Sequence, residues 1–353
     1  MKAAVWHGRR DIRIEDVAMP PSPPDGQVMV RVAYCGICGS DLHEYMAGPV
    51  KIPVEVPHPT TGVQAPVILG HELAGEVVEV GPGVTGVTVG DRVALQSLIG
   101  CLECRWCKSG LMGLCPKLAF LGKSWHSGGF SAYVNVHDYM CYRLPEQVSD
   151  EIGALVEPFA AAVRSVREGQ IKATDRVAIL GAGPIGLMAL QAARIAGAES
   201  VTVFEIASIR QELAWQCGAS DVVDPSKRDP LEAALAATDG EGFDSVLECV
   251  GSSETGILAG RMARRKGRVV IVGVFEKPAP LDYTDLVFGE KTIIGTMGGF
   301  GVFEEAIGMM ASGRFHGEPL ITGKIPLGAI VASGFEALVH EKERHIKILV
   351  RPE

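Results

Sequence analysis

Cys101, Cys104, Cys107 and Cys115 stand in the spacing C-x2-C-x2-C-x7-C, four thiolates within fifteen residues. Such a set suits one closed tetrahedral Zn2+ site, which holds a loop and leaves no position open to a substrate. A second set lies upstream. Cys38, within Cys35-Gly-Ile-Cys38-Gly-Ser40-Asp41-Leu-His43, and His71, within Gly70-His71-Glu72, offer a thiolate and an imidazole. A catalytic zinc takes about three protein ligands and keeps one position open. The third ligand here is expected to be a carboxylate, and the sequence leaves Glu72 and Glu157 (in Leu155-Val156-Glu157-Pro158) as open alternatives. Cys35 and Cys38 could instead form half of a closed site. No matching Cys or His pair follows them, so Cys35 is read as a packing residue.

A metal with one open position suits alcohol chemistry, because Zn2+ acts as a Lewis acid toward a bound hydroxyl. The hydroxyl proton must then leave a dry pocket. Ser40, two residues after Cys38, is the natural first carrier, and His43 can pass the proton on through a cofactor ribose. The hydride needs an acceptor. Gly181-Ala-Gly183-Pro184-Ile185-Gly186 gives GxGxxG directly after the apolar run Arg176–Leu180 and at the mouth of a helical pattern. In that context the glycines serve a tight turn, close approach to a pyrophosphate, and close helix–strand packing. Glu205, 19 residues after Gly186, stands where a carboxylate accepts from the adenosine ribose and repels a 2′-phosphate. NAD is therefore expected over NADP, although Arg210 could soften the exclusion.

Two kinds of architecture must position these groups. The first ~155 residues read as short strands between Gly and Pro punctuation, with Lys51 to Pro66 a long proline-bearing loop. From about Ala160, strand-like and helix-like runs alternate, the pattern of a doubly wound parallel sheet. The last ~55 residues return to mixed character and end in the apolar strand Ile346 to Val350. The 353 residues accommodate two domains. Residues 1–158 are expected to form the zinc-bearing domain, with a four-cysteine lobe at about 96–118. Residues 159–297 are expected to bind the dinucleotide, and 298–353 to return to the first domain.

A net charge of −9, with Arg264-Arg265-Lys266 as the basic cluster, opposes nucleic-acid binding, and that cluster reads as a solvated turn. Met1 to Asp16 has no apolar signal core, and Val177 to Leu190 is too short and too glycine-broken to span a membrane. A cytoplasmic protein with no membrane and no nucleic-acid partner is the expectation. Cys141, Cys217 and Cys249 sit in apolar surroundings and read as packing.

Taken together, these motifs resemble the zinc-dependent medium-chain dehydrogenase/reductase superfamily over essentially the full length. The resemblance rests on Gly70-His71-Glu72, the four-cysteine lobe, Gly90-Asp91-Arg92-Val93 and the Gly181–Gly186 loop. Gly153-Ala-Leu-Val-Glu157-Pro158 and Gly334-Phe-Glu-Ala-Leu-Val point within it to the 2,3-butanediol dehydrogenase branch. The resemblance implies a GroES-like β-barrel catalytic domain plus a Rossmann domain. It implies a catalytic zinc on Cys38, His71 and Glu157, with Glu72 on the metal or behind it, and a second zinc on the four lobe cysteines. It also implies reversible NAD-dependent oxidation of a secondary alcohol or vicinal diol, (R,R)-2,3-butanediol to acetoin, by a homo-oligomer (dimer or tetramer). Sorbitol or xylitol dehydrogenase and L-threonine 3-dehydrogenase activities are the alternatives within the class. A zinc-bearing NAD(H)-binding redox sensor is the alternative outside it. The loop Glu44 to Pro66 and the segment Trp125 to Phe130 are expected to shape the substrate pocket.

Overall fold

The structure, a computed structural model, describes residues 1–352. The chain divides into two units. One comprises Met1–Glu157, Phe303–Ala311 and the chain from Ile321 onward; the other comprises Pro158–Val302 and Ser312–Leu320.

The first unit is built on antiparallel strands. Its central strand, Gln27–Gly36, buries Val28, Val30 and Val32 and exposes Arg31. That is the period-two pattern of β-branched residues on a half-buried sheet. One edge pairs along its length with Glu72–Val80. The other edge changes partner: Tyr133–His137 flanks Gln27 to Arg31, and Lys347–Arg351 flanks Cys35 and Gly36. This register positions the site. Gly36 lies opposite Glu72 on one side and Leu349 on the other. One residue further, Ile37 N donates to Ile348 O at 3.0 Å. The chain therefore enters Cys38 flanked by His71–Glu72 and by Lys347–Ile348, segments far apart in sequence.

Trp6, Leu69, Leu73, Leu95, Phe130 and Phe335 fill the core beneath these strands. Each such side chain contributes roughly 1.5–3 kcal/mol by leaving water. Cys35 belongs to the same core: its Sγ would be struck by a Cβ at Gly70 or Gly129. The expected packing role holds. The four-cysteine lobe is different. The paired strands Leu98–Ile99 and Ala119–Phe120 close its base, and between them run the short helix Arg105–Lys108 and the turn Met112–Leu114. Its tip buries little beyond Gly113 and Cys115, so a cross-link must replace the missing core.

The second unit is a six-stranded parallel sheet with strands β1 (Arg176–Leu180), β2 (Ser200–Phe204), β3 (Asp221–Val223), β4 (Phe243–Glu248), β5 (Ala263–Ile271) and β6 (Thr292–Gly295). Their order is β3-β2-β1-β4-β5-β6, and every neighbouring pair is parallel. This is the dinucleotide-binding order, with its reversal between β1 and β4. Leu180, Phe204, Phe243 and Val246 form part of the core, Phe204 meeting Phe243 edge-on. The expected doubly wound sheet is present. One expectation is corrected: Arg264-Arg265-Lys266 lies inside β5, not in a turn. Lys266 takes a left-handed φ of 60°, and the bulge that this accommodates keeps the three side chains outward. Arg264 pairs with Asp244 and Lys266 with Glu290, which consumes the positive charge locally. Among the described residues no helix is long and apolar enough to cross a membrane.

Candidate metal centres and dinucleotide loop

The helix Gly39–Ala47 begins immediately after Cys38, and this start places Cys38, Ser40 and Asp41 around one turn. Asp41 Oδ2 accepts from Cys38 N at 3.1 Å, which fixes the path of the chain into the helix. Its other oxygen lies 3.2 Å from His71 Nδ1. The angle there is poor for a hydrogen bond, so the contact is chiefly electrostatic. Asp41 is fully buried. Burial opposes its charge, but the His71 ring outweighs burial and holds the carboxyl below its usual range. The same pairing favours the protonated ring: burial pushes His71 down, and Asp41 more than reverses it. A carboxylate behind Nδ1 turns Nε2 toward the centre, the usual orientation of a metal-bound histidine.

Ligand atoms of Cys38, His71 and Glu72 lie within 4.8 Å of one another, a spacing that one small cation can span. Glu157 lies outside that set. It sits in the first turn of the helix Val156–Glu168 and accepts from Ser97 Oγ at 2.8 Å. Burial and the neighbouring Glu72 raise its pKa, while His71, Ser97 and Lys347 oppose the rise. Glu72 has a second partner. Lys347 Nζ, itself buried, is 2.5 Å from Glu72 Oε2 and also donates to Ile37 O at 3.1 Å. A Cβ at Gly36 would collide with that carboxylate oxygen, so glycine makes room for the pair. A thiol, an imidazole and one buried carboxylate, that of Glu72, converge here. This donor set fits Zn2+, whose charge would offset the anions that burial penalises.

Ser40 Oγ stands 3.4 Å from His71 Nε2 and accepts from Lys123 Nζ at 2.6 Å. His43, one helical turn beyond Ser40, is exposed. Within the segments expected to shape a pocket, Glu44 is buried and accepts from Val50 N and Lys51 N at 2.8 and 2.6 Å. Trp125 likewise spends its indole N–H on Asn135 O.

The four lobe cysteines also gather within 4.8 Å of one another, with Cys104 and Cys107 Sγ 3.5 Å apart. Four sulfurs each ~2.3 Å from a central zinc have edges of roughly 3.8 Å. Backbone amides already point at the sulfurs: Cys101 N and Lys117 N to Cys115, and Cys107 N to Cys104. Amide donors from Glu103 and Cys104 hold the Cys101 thiol down at about 7, whereas burial and Cys104 push Cys107 up to about 12. Four thiolates cannot share this space without a cation, and the lobe fits zinc.

In the second unit the Gly-rich turn joins β1 to the helix Pro184–Ile195. Gly181 takes a φ of 89°, open to glycine without strain. A Cβ at Gly186 would strike Gly181 O, so this glycine serves packing, whereas Gly183 has nothing within 4 Å and leaves room for a close ligand. Pro184, which has no N–H to leave unpaired, opens the helix, and the free N–H groups that follow it, Ile185 first, favour an anion. Glu205 follows β2 and turns inward. Its Oε2 accepts from Ala182 N at 2.7 Å and its Oε1 from Ile206 N and Ala207 N at 2.8 and 2.9 Å. Arg210 lies on the next helix, Ser208–Gln216, half-buried.

Asp41, Ser97, Lys123 and Lys347 were not singled out from the sequence. Lys347 had a signal, a lone lysine in the apolar run Ile346 to Val350. Asp41 stood in the Cys35 to His43 motif without a role. Lys123 had no signal.

Residues 24–146 match the family model described as alcohol dehydrogenase GroES-like domain, and residues 184–312 match that described as zinc-binding dehydrogenase. The chain is 43% identical to the (R,R)-butanediol dehydrogenase of Bacillus subtilis (strain 168), with all of both chains covered. It is 33% identical to the sorbitol dehydrogenase of the same organism, covering 100% of this chain and 97% of the relative. The crystal structure of the 2R,3R-butanediol dehydrogenase from Bacillus subtilis superposes with a TM-score of 0.94 at 42% identity, covering 100% of this chain and 99% of that one.

Proposed function

Because the chain belongs to the zinc-dependent medium-chain dehydrogenase/reductase superfamily, we propose that it is a zinc- and NAD-dependent dehydrogenase that interconverts (R,R)-2,3-butanediol and acetoin. The observation that carries the reading is the convergence of Cys38, His71 and Glu72 beside a hydroxyl, Ser40, in a chain that also carries a dinucleotide loop. Full-length identity to a butanediol enzyme at 43%, against 33% for a sorbitol enzyme, favours the diol.

Cys38, His71 and Glu72 would hold the catalytic zinc, which when bound supplies Lewis-acid polarisation of the substrate hydroxyl. Glu157, close enough to feel His71 and Glu72, is the carboxylate that can replace Glu72 as a ligand. Asp41 orients His71 through Nδ1. Ser40 Oγ would take up the hydroxyl proton, and His43, exposed on the same helix, would pass it on toward solvent. Gly183 would give the pyrophosphate room to approach, the N–H of Ile185 in the first helical turn would donate to it, and Glu205 disfavours a 2′-phosphate. The lobe cysteines would hold a second, structural zinc.

The nine free cysteines suit a reducing compartment, the cytoplasm. A homo-oligomer is part of the reading. Strand β6 is the sheet's edge, and Tyr283, Val287 and Phe288 on the helix Tyr283–Gly289 are largely exposed. Light scattering should therefore give a multiple of the monomer mass.

The test is NADH formation with (R,R)-2,3-butanediol against D-sorbitol. The expected result is a kcat/KM at least tenfold higher for the diol. A preference for sorbitol would move the substrate to the polyols, and inactivity with both would end the assignment.

A further inference from the structure

Lys123 occupies the turn after Ala119–Phe120, and only 5% of its surface is exposed. Its Nζ donates to Ser40 Oγ at 2.6 Å, and Ser40 Oγ lies 3.4 Å from His71 Nε2. The ammonium thus stands two hydrogen-bond lengths from the nitrogen that faces the candidate metal position. Asp41 and His71 both sense its charge. An ammonium carries three donors, and among the described residues Ser40 is the acceptor the protein gives it. The oxygens of Asp41 are directed elsewhere, to Cys38 N and the His71 ring. A buried cation beside a centre built for a second cation is costly unless an electron-rich group lies between them.

We infer that Lys123 is a substrate-recognition residue whose remaining N–H groups hold the oxygen adjacent to the reacting carbinol. This rests on the alcohol dehydrogenase reading and deepens it, since it makes vicinal oxygenation the requirement for a good substrate. A vicinal diol, or the hydroxyketone formed from it, presents two oxygens on neighbouring carbons. One occupies the centre at Cys38, His71 and Glu72 while the other accepts from Lys123. A simple secondary alcohol leaves the ammonium desolvated and short of an acceptor. A site built to hydrogen-bond an oxygen rejects analogues lacking it far more strongly than an apolar pocket rejects a size change.

The experiment compares (R,R)-2,3-butanediol with (R)-2-butanol in the metal-loaded enzyme, for the wild type, Lys123→Met, Lys123→Arg and Ser40→Ala. In Lys123→Met the ratio of kcat/KM for diol over monoalcohol falls at least tenfold, mainly through KM for the diol. Lys123→Arg, which keeps the cation, restores part of the ratio and serves if the methionine variant does not fold. Ser40→Ala slows both alcohols together and leaves their ratio within threefold. Titration of the enzyme–NADH complex by NADH fluorescence gives a readout free of turnover: the diol's Kd rises tenfold or more in Lys123→Met, and the monoalcohol's less. A ratio unchanged within threefold in both Lys123 variants, whether or not rates fall, overturns the inference and leaves Lys123 a prop for Ser40. Failure of the underlying reading looks different: the wild type then reduces NAD with neither alcohol, and the inference falls with it.

Discussion

Lys347 and Glu72 form an ion pair of 2.5 Å in which neither side chain is more than 2% exposed, and Glu72 is at the same time one of three groups that converge on the candidate catalytic metal. The pair follows from register, since Gly36 lies between the strands that carry them and has no side chain to separate them. Lys347 therefore both neutralises Glu72 and restrains it.

Removing the lysine leaves a buried carboxylate uncompensated, which costs about 3–5 kcal/mol. Lys347→Met is expected to melt well below the wild type when stripped of metal, and added Zn2+ should recover part of the loss by supplying the missing positive charge. Calorimetry with and without Zn2+ measures both. An equal melting temperature in wild type and variant would mean that the pair does not form in solution.

Ser40 links the candidate metal centre to Lys123, so its hydroxyl is expected to act on the chemical step rather than on cofactor binding. Ser40→Ala should lower kcat by about 10²-fold, the scale of a lost proton-transfer group, with the Kd for NADH within twofold of wild type. A comparable loss of NADH affinity would show that the residue serves the fold instead.

How far the sequence carried depended on the range of each relationship. The lobe cysteines and the glycine loop were legible because their partners lie within fifteen and six residues, and because few structures need such residue types at such spacing. Cys38 and His71 were legible as rare ligand types. That Glu72 gathers with Cys38 and His71 was not, since it depends on the alignment of Glu72 with Gly36. Lys123 gave no sign, and Lys347 only that of a lone lysine in an apolar run, for a related reason: they reach their partners across 83 and 275 residues of sequence. A lysine without that context reads as a solvent-facing charge. The turn expected at Arg264 to Lys266 failed because a bulge let three basic residues stay in a strand while facing outward.

Glu205 meets the Gly-rich loop through Ala182 N, a buried hydrogen bond, and is the carboxylate proposed to exclude a 2′-phosphate. Glu205→Ala should consequently do two things. Leaving the amide unpaired costs about 1–3 kcal/mol, and loss of the carboxylate weakens discrimination against a 2′-phosphate. The kcat/KM ratio of NAD over NADP is expected to fall at least tenfold, alongside a lower melting temperature. If the ratio holds while stability falls, the carboxylate serves only the loop.

The four-cysteine lobe offers a test that reads the thiols one at a time. A thiol held at about 7 is half thiolate near neutrality and loses that anion as pH falls below 7, whereas one pushed to about 12 stays protonated throughout. After chelation, brief iodoacetamide treatment at pH 7 should label Cys101 well before Cys107, and labelling of Cys101 should drop steeply by pH 6. Mass spectrometry of the digested protein resolves the two sites. Because zinc takes all four sulfurs as thiolates, readdition of Zn2+ should protect both cysteines and release protons. Equal labelling of Cys101 and Cys107, or labelling that Zn2+ does not suppress, would show that the lobe does not hold its sulfurs around a common metal. Protection of all four would tie the tip of a lobe with almost no core to the ion that replaces it.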